Sequence, residues 1–228
     1  INLVEEICSL GILFMQLTYN NQSLLATGCY EDTDSGVTRM GKEVIKEMNR
    51  LGIVIDMSHS AEKSTIDAIN LSSKPIAITH ANPSFWFKAK RNKSNKVLKA
   101  LADSGGMIGH SLYPHHLKNK SNCTLESFCE MIARTADIIG VKHIGIGSDL
   151  CIGHPDTVVE WMRNGKWTKT KDYGEGIKED SGFPKQPHWF VNASGFKNLE
   201  IGLKKIGFNE KETNDILGNN WYNFYKGI

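Results

Sequence analysis

The chain has 228 residues, 40% hydrophobic and 23% charged, an ordinary soluble composition with enough apolar material for a sizeable core. Its 27 basic and 25 acidic residues give a net charge of +2, which excludes a strong field favouring nucleic acid or a membrane surface. No apolar run reaches about 18 residues, so no membrane span is expected, and an odd set of five cysteines without a CxxC pair reads as reduced thiols, pointing to the cytoplasm.

Residues 1–10 carry Glu5 and Glu6 and no basic start, so no signal peptide is expected there. The absence of an initiator Met suggests numbering that begins inside a longer chain. Five short apolar runs then follow: 12–18 (ILFMQLT), 53–57 (IVIDM), 75–79 (PIAIT), 107–112 (MIGHSL) and 143–148 (HIGIGS). Each is nearly continuous rather than alternating, the pattern of parallel strands covered on both faces. Helix-period stretches separate them. Residues 37–51 place Met40, Val44, Ile45 and Met48 on one face and stop at Gly52, a C-terminal glycine. Ser60 is placed to cap a helix over 61–71, with Ile66 and Ile69 inward. Asn82-Pro83 reads as a further helix start, residues 97–101 belong to a helix that stops at Gly105-Gly106, and 124–139 form an amphipathic helix ending at Gly140. Helices over 197–205, 210–217 and 220–225 close the chain. Residues 151–193, rich in Gly, Pro and aromatics, are expected to form an irregular segment over the functional face. The alternation is the rhythm of a parallel α/β fold, with strand C-termini gathered at one face.

The strand ends carry Tyr19, His59, His80, Ser111 and Asp149. In a parallel α/β fold these converge on one crevice. A lone histidine after a strand reads first as a hydrogen-bonded turn residue. Two in consecutive βα units, each after a hydroxyl residue (Ser58-His59 and Thr79-His80), bring a shared metal to equal standing. Asp149 alone reads as a turn or cap residue, and otherwise as a carboxylate that handles protons. His110, His115 and His116 in "GHSLYPHH" follow a single strand and suit a surface loop. His143 reads as structural. Cys29 and Cys151 read as buried small hydrophobes, and the basic run at 88–93 as a solvated loop.

"GKEVIKEMNRLGIVIDMSH", "PIAITHANP", "KRNK", "GGMIG" and "HIGIGSD" together resemble, in order and over nearly the whole chain, the membrane (renal) dipeptidase family of zinc peptidases. "LTYN", "GSDLC" and "VVEWMRNGKW" bring it nearest a bacterial branch. The resemblance implies a TIM-type (β/α)8 barrel with two zinc ions that cleaves dipeptides, a metal-activated water attacking the peptide carbonyl. It assigns His59 and His80 to one of the metals, Arg91 to the substrate's terminal carboxylate, and Asp149 to the scissile nitrogen as acid and amine contact. Tyr19 stands where the family's mammalian members carry a histidine that helps hold the carbonyl or its oxyanion, and retains a donor there. Family members begin with a His-x-Asp pair on the first strand and a bridging glutamate on the third. This chain starts after both, so the expected structure is one domain over 1–228 with only the last five strands of the barrel, N-terminally truncated, retaining at most one zinc site.

The expected function is therefore zinc-dependent dipeptide hydrolysis, with a dipeptide as substrate, no nucleic-acid partner, and pairing into homodimers implied by the family. The alternative is a truncated or split remnant that binds peptide-like ligands or needs a complementing N-terminal segment. A barrel acting on sugar phosphates is disfavoured, because no Gly-rich nest follows the last strand.

Overall fold

The computed structural model describes residues 1–163, 176–179 and 182–228. Five strands fall on the five apolar runs, β3 continuing two residues past its run: β1 (Phe14–Gln16), β2 (Val54–Asp56), β3 (Ala77–Ala81), β4 (Met107–His110) and β5 (Ile144–Ile146). They pair in parallel, in chain order, as one sheet. Helix α1 (Asn2–Ser9) precedes β1, and α2 (Arg39–Leu51), α3 (Glu62–Leu71), α4 (Asn95–Asp103) and α5 (Leu125–Ile139) connect successive strands. Sequential order with right-handed crossovers puts these helices on one face, the arrangement of a sector of a TIM-type barrel.

Local chemistry sets most helix ends. Thr38, Ser94 and Thr124 each accept a hydrogen bond from the backbone N–H three residues on, and Gly52 ends α2 at φ 72°. Two expectations differ. Ser60 does not cap α3; its hydroxyl turns to the Met57 sulfur, and Ala61 is the N-cap without a side-chain bond. Met40 is 47% exposed, and its expected place on the inner face of α2 goes to Gly41, where a Cβ would collide with the Leu25 carbonyl.

Residue alternation divides the sheet into two faces. Met15, Ile55, Ile78, Ile108, Ile144 and Ile146 pack into the core with the connecting helices. Phe14, Val54, Ala77, Met107 and Gly145 alternate with them and occupy the second face. After β5 come α6 (Asp156–Arg163), α7 (Phe196–Ile206), α8 (Glu210–Asn214), a π-helical turn over Asp215–Asn219 and α9 (Asn220–Lys226). Helix α6 falls inside the segment expected to be irregular, and residues 164–175 and 180–181 of that segment lie outside the described residues.

Helix α7 joins the first layer beside α5. Helix α9 serves the second face. Asn220 donates to the Val141 and Ile144 carbonyls, Trp221 Nε1 donates to the Ile146 carbonyl, and the Tyr225 ring meets Phe14 edge-on at 4.7 Å. An added Cβ at Gly145 would run into the Trp221 indole. Glycine there is what lets the helix approach.

Candidate metal centre

His59 leaves the tight turn that follows β2, and His80 lies within β3. The β3–β4 register explains the aim of His80. Ile78 pairs with Ile108 and Ala81 with His110, so Thr79 and His80 oppose the single residue Gly109. This is a β-bulge, a device that redirects side chains beside sites. The bulge pushes the Thr79 carbonyl toward β4 and β5, where a Cβ at either Gly109 or Gly147 would overlap it. Two glycines make the bulge possible.

The two imidazoles meet. Their Nε2 atoms are 3.0 Å apart, and both side chains are largely buried. His59 Nδ1 lies 2.6 Å from the Asn20 Oδ1, and His80 Nδ1 lies 2.8 Å from the Thr79 hydroxyl. An amide oxygen only accepts, so His59 carries its proton on Nδ1 and offers the Nε2 lone pair. The turn bearing His59 is braced from beneath: Lys93 Nζ donates to the Met57 and Ser60 carbonyls, and Arg91 donates from Nε to the Ser58 carbonyl and from Nη2 to the His80 carbonyl.

Burial first, then the Arg91 and His80 charges, hold His59 well below the ordinary imidazole range. His80 is also lowered, by burial, with Asp149 pulling the other way. Both shifts favour the neutral imidazole, the form in which a ring nitrogen can face a metal. Burial brings the Lys93 ammonium down to about 8. Asp56 is buried yet lies below the usual carboxylate range: burial pushes it up, and the His80 charge with the Ser58 and Thr79 donors more than offsets that.

The other expected site residues gather around this pair to different degrees. Tyr19 stacks on His59 with ring centroids 3.9 Å apart while staying 55% exposed. Asp149, at φ 52°, follows β5 and acts on His80 through its charge. Asn20 has a left-handed backbone too, at φ 62°. Asn and Asp tolerate that conformation best, which suits side chains held at a crevice rim. Arg91 is 4% exposed and spends two of its donors on the histidine-bearing turns, a bracing role beyond its expected one.

Several expectations are corrected. The run 88–93 is not simply solvated, because Arg91 and Lys93 turn inward. His110, His115 and His116 are buried, not on a surface loop. His116 Nδ1 meets the Ser111 hydroxyl at 3.0 Å, and its charge bears on His59. Cys29 and Cys151 are half-buried, and the Cys29 thiol lies 3.8 Å from Asn20 Oδ1. His143 is structural, its Nδ1 on the Gly106 carbonyl. The sequence singles out neither Asn20 nor Asp56, and Lys93 only as part of the basic run; the one available signal for Asp56 is a carboxylate inside an otherwise apolar run.

The donor set suits a cation. Two nitrogens about 2.0–2.1 Å from one tetrahedral zinc stand roughly 3.3 Å apart, close to the separation seen. Among the described residues no group of three or more His, Cys, Asp or Glu is arranged to hold a metal, so the pair brings two nitrogens together without a third such ligand.

Among solved structures, an amidohydrolase from Pseudomonas aeruginosa superposes with a TM-score of 0.91 at 33% identity, over 99% of this chain and 67% of that one. A metallo peptidase from Rhodobacter sphaeroides, liganded with a phosphinate mimic of the dipeptide L-Ala-D-Ala, shares the fold with a TM-score of 0.79 at 21% identity, over 99% of this chain and 58% of that one. Dipeptidase tcpJ of Claviceps purpurea is 29% identical over 144 residues, 61% of this chain and 34% of its own length. An uncharacterized dipeptidase of Schizosaccharomyces pombe is 28% identical over 152 residues, 64% of this chain and 36% of its own. The chain spans little more than a third of the length of these curated relatives. The membrane dipeptidase model, peptidase family M19, matches residues 1–165, and the chain belongs to that family.

Proposed function

We propose that this chain acts in the metal-dependent hydrolysis of dipeptides, with zinc as the metal. The observation that carries the reading is the convergence of two neutral imidazole Nε2 atoms, 3.0 Å apart, at the C-terminal ends of adjacent parallel strands. His59 and His80 would hold the ion. A divalent zinc supplies Lewis acidity toward a peptide carbonyl. The chain's own residues do the rest. Asp149, on the strand exit beside His80, handles the proton that the departing amine takes up. Arg91 offers the guanidinium edge left over from its bracing bonds to a free substrate carboxylate, which confines substrates to short peptides. Tyr19 covers His59 from the open side and presents its phenol toward the carbonyl oxygen. The phosphinate dipeptide mimic bound by the Rhodobacter protein supports this substrate class.

The test is dipeptide turnover with added zinc. The wild-type chain should hydrolyse dipeptides, a chelator should stop it, and His59→Ala or His80→Ala should abolish it. Equal turnover by all three proteins would dispose of the metal assignment.

The ligand count favours a second reading. Catalytic zinc sites take three protein ligands, and two stand together among the described residues. In this reading the chain binds peptide-like ligands without turnover, or works only with a complementing N-terminal segment.

A further inference from the structure

We propose that Asp56 is a positioning residue that fixes the tautomer and aim of His80 through the Thr79 hydroxyl, an inference that rests on the metal-site reading of His59 and His80. The Asp56 carboxylate sits on the second face and ties three strands together. Its Oδ2 accepts from Gln16 Nε2 at 2.9 Å and from the Thr79 hydroxyl at 2.7 Å. Its Oδ1 accepts from the Ser58 N–H at 3.0 Å, the Ser58 hydroxyl at 2.5 Å and the Thr79 N–H at 3.0 Å. Five donors on one buried carboxylate satisfy a charge that would otherwise be costly to bury.

The direction of each bond follows from what a carboxylate can do. An ionised carboxylate only accepts, so the single Thr79 hydroxyl proton points to Asp56. What remains for His80 Nδ1, 2.8 Å away, is a lone pair on the Thr79 oxygen. Nδ1 then carries the imidazole proton, which leaves two bare Nε2 atoms 3.0 Å apart, an arrangement that a cation between them relieves. Without the anion, the Thr79 hydroxyl is free to turn and donate to Nδ1. The proton would then move to Nε2 and block the position the ion needs. Ser58 is set the same way: its proton goes to Asp56, and its oxygen accepts the His80 N–H at 3.1 Å. His59 relies on Asn20 instead, which makes it an internal control.

The experiment reads imidazole proton–nitrogen correlation spectra of the metal-free protein together with zinc affinity, measured by competition with a chromophoric chelator. In the wild type both histidines should show the Nδ1–H tautomer. Asp56→Asn and Thr79→Val should move His80, and not His59, toward the Nε2–H form, and weaken zinc binding about 10- to 100-fold. Should Asp56→Asn fail to fold, Thr79→Val decides the matter, because it removes one hydroxyl and little volume. Unchanged His80 spectra in Thr79→Val overturn the proposal, even if Asp56→Asn lowers stability. A wild type that binds no zinc while Thr79→Val still shifts His80 would end the metal reading and uphold the role of Asp56.

Discussion

An imidazole kept neutral by burial binds a metal readily and resents acid. His110 shows the second half of that statement away from the centre itself. It is fully buried, its Nδ1 is 3.3 Å from the Asn82 Oδ1, and its Nε2 has no hydrogen-bond partner among the described residues. Burial brings it down to about 3. The unfolded chain, with an ordinary imidazole near 6.5, takes up this proton first as pH falls. The stability tied to neutral His110 is therefore complete above about pH 6.5 and is lost progressively toward pH 3. His110→Asn, which keeps an amide toward Asn82, should lower by about one the number of protons taken up on unfolding between pH 6 and pH 4, measured from urea midpoints against pH. An unchanged proton uptake would contradict the assignment. At this scale the meeting of His59 and His80 was legible, since a hydroxyl residue and a histidine twice end an apolar run. Their orienting partners were not. Asn20 gains its meaning from His59, 39 residues on, and Asp56 from Thr79, 23 residues on, and no local spacing announces either.

The bulge in β3 is the element on which the site turns. It lets one strand deliver Thr79 to Asp56 and His80 to His59 from consecutive positions, where a regular strand would send them to opposite faces. Gly109→Ala forces a Cβ onto the Thr79 carbonyl, a backbone atom that cannot swing aside. The expected cost is roughly 1–3 kcal/mol in unfolding free energy, with a clear loss of zinc affinity. Gly145→Ala collides with the Trp221 indole at the far end of the sheet. It should lose stability and keep its zinc affinity, so the two variants together separate damage to the bulge from damage to packing. Equal zinc affinity in Gly109→Ala and wild type would show that the bulge does not aim His80. Strands and connecting helices were readable within a few residues, because continuous apolar runs and 3.6-residue stripes are local signals. Asn82-Pro83 misled for a physical reason. The Asn82 side chain donates to the Ser111 and His116 carbonyls, and its N–H goes to the Asn92 Oδ1, so distant partners pin this stretch as a loop. Helix α4 starts only at Asn95.

Across the whole molecule the five-strand count and the parallel order were legible, while the use of the second face was not. Trp221, Phe224 and Tyr225 look like any apolar helix stripe, and what they cover is decided by tertiary packing. On the proposed assignment one imidazole pair holds one metal. Titration followed by elemental analysis should give one zinc per chain, reduced to near zero in the His59→Ala, His80→Ala double variant; retention of zinc there would place the ion elsewhere. The second reading of function has its own check. If turnover is absent from this chain alone and appears when the third of the Pseudomonas chain left uncovered by the superposition is supplied in trans, the complementation reading prevails. Helix α9 bears on all of these outcomes. Strands β1 and β5 share no hydrogen bond, yet Phe14 on one and Gly145 on the other are spanned by a single helical turn from Trp221 to Tyr225. Those rings act as a strut. Shortening that aromatic spacer should change the curvature of the sheet, and with it the gap between Tyr19 after β1 and Asp149 after β5.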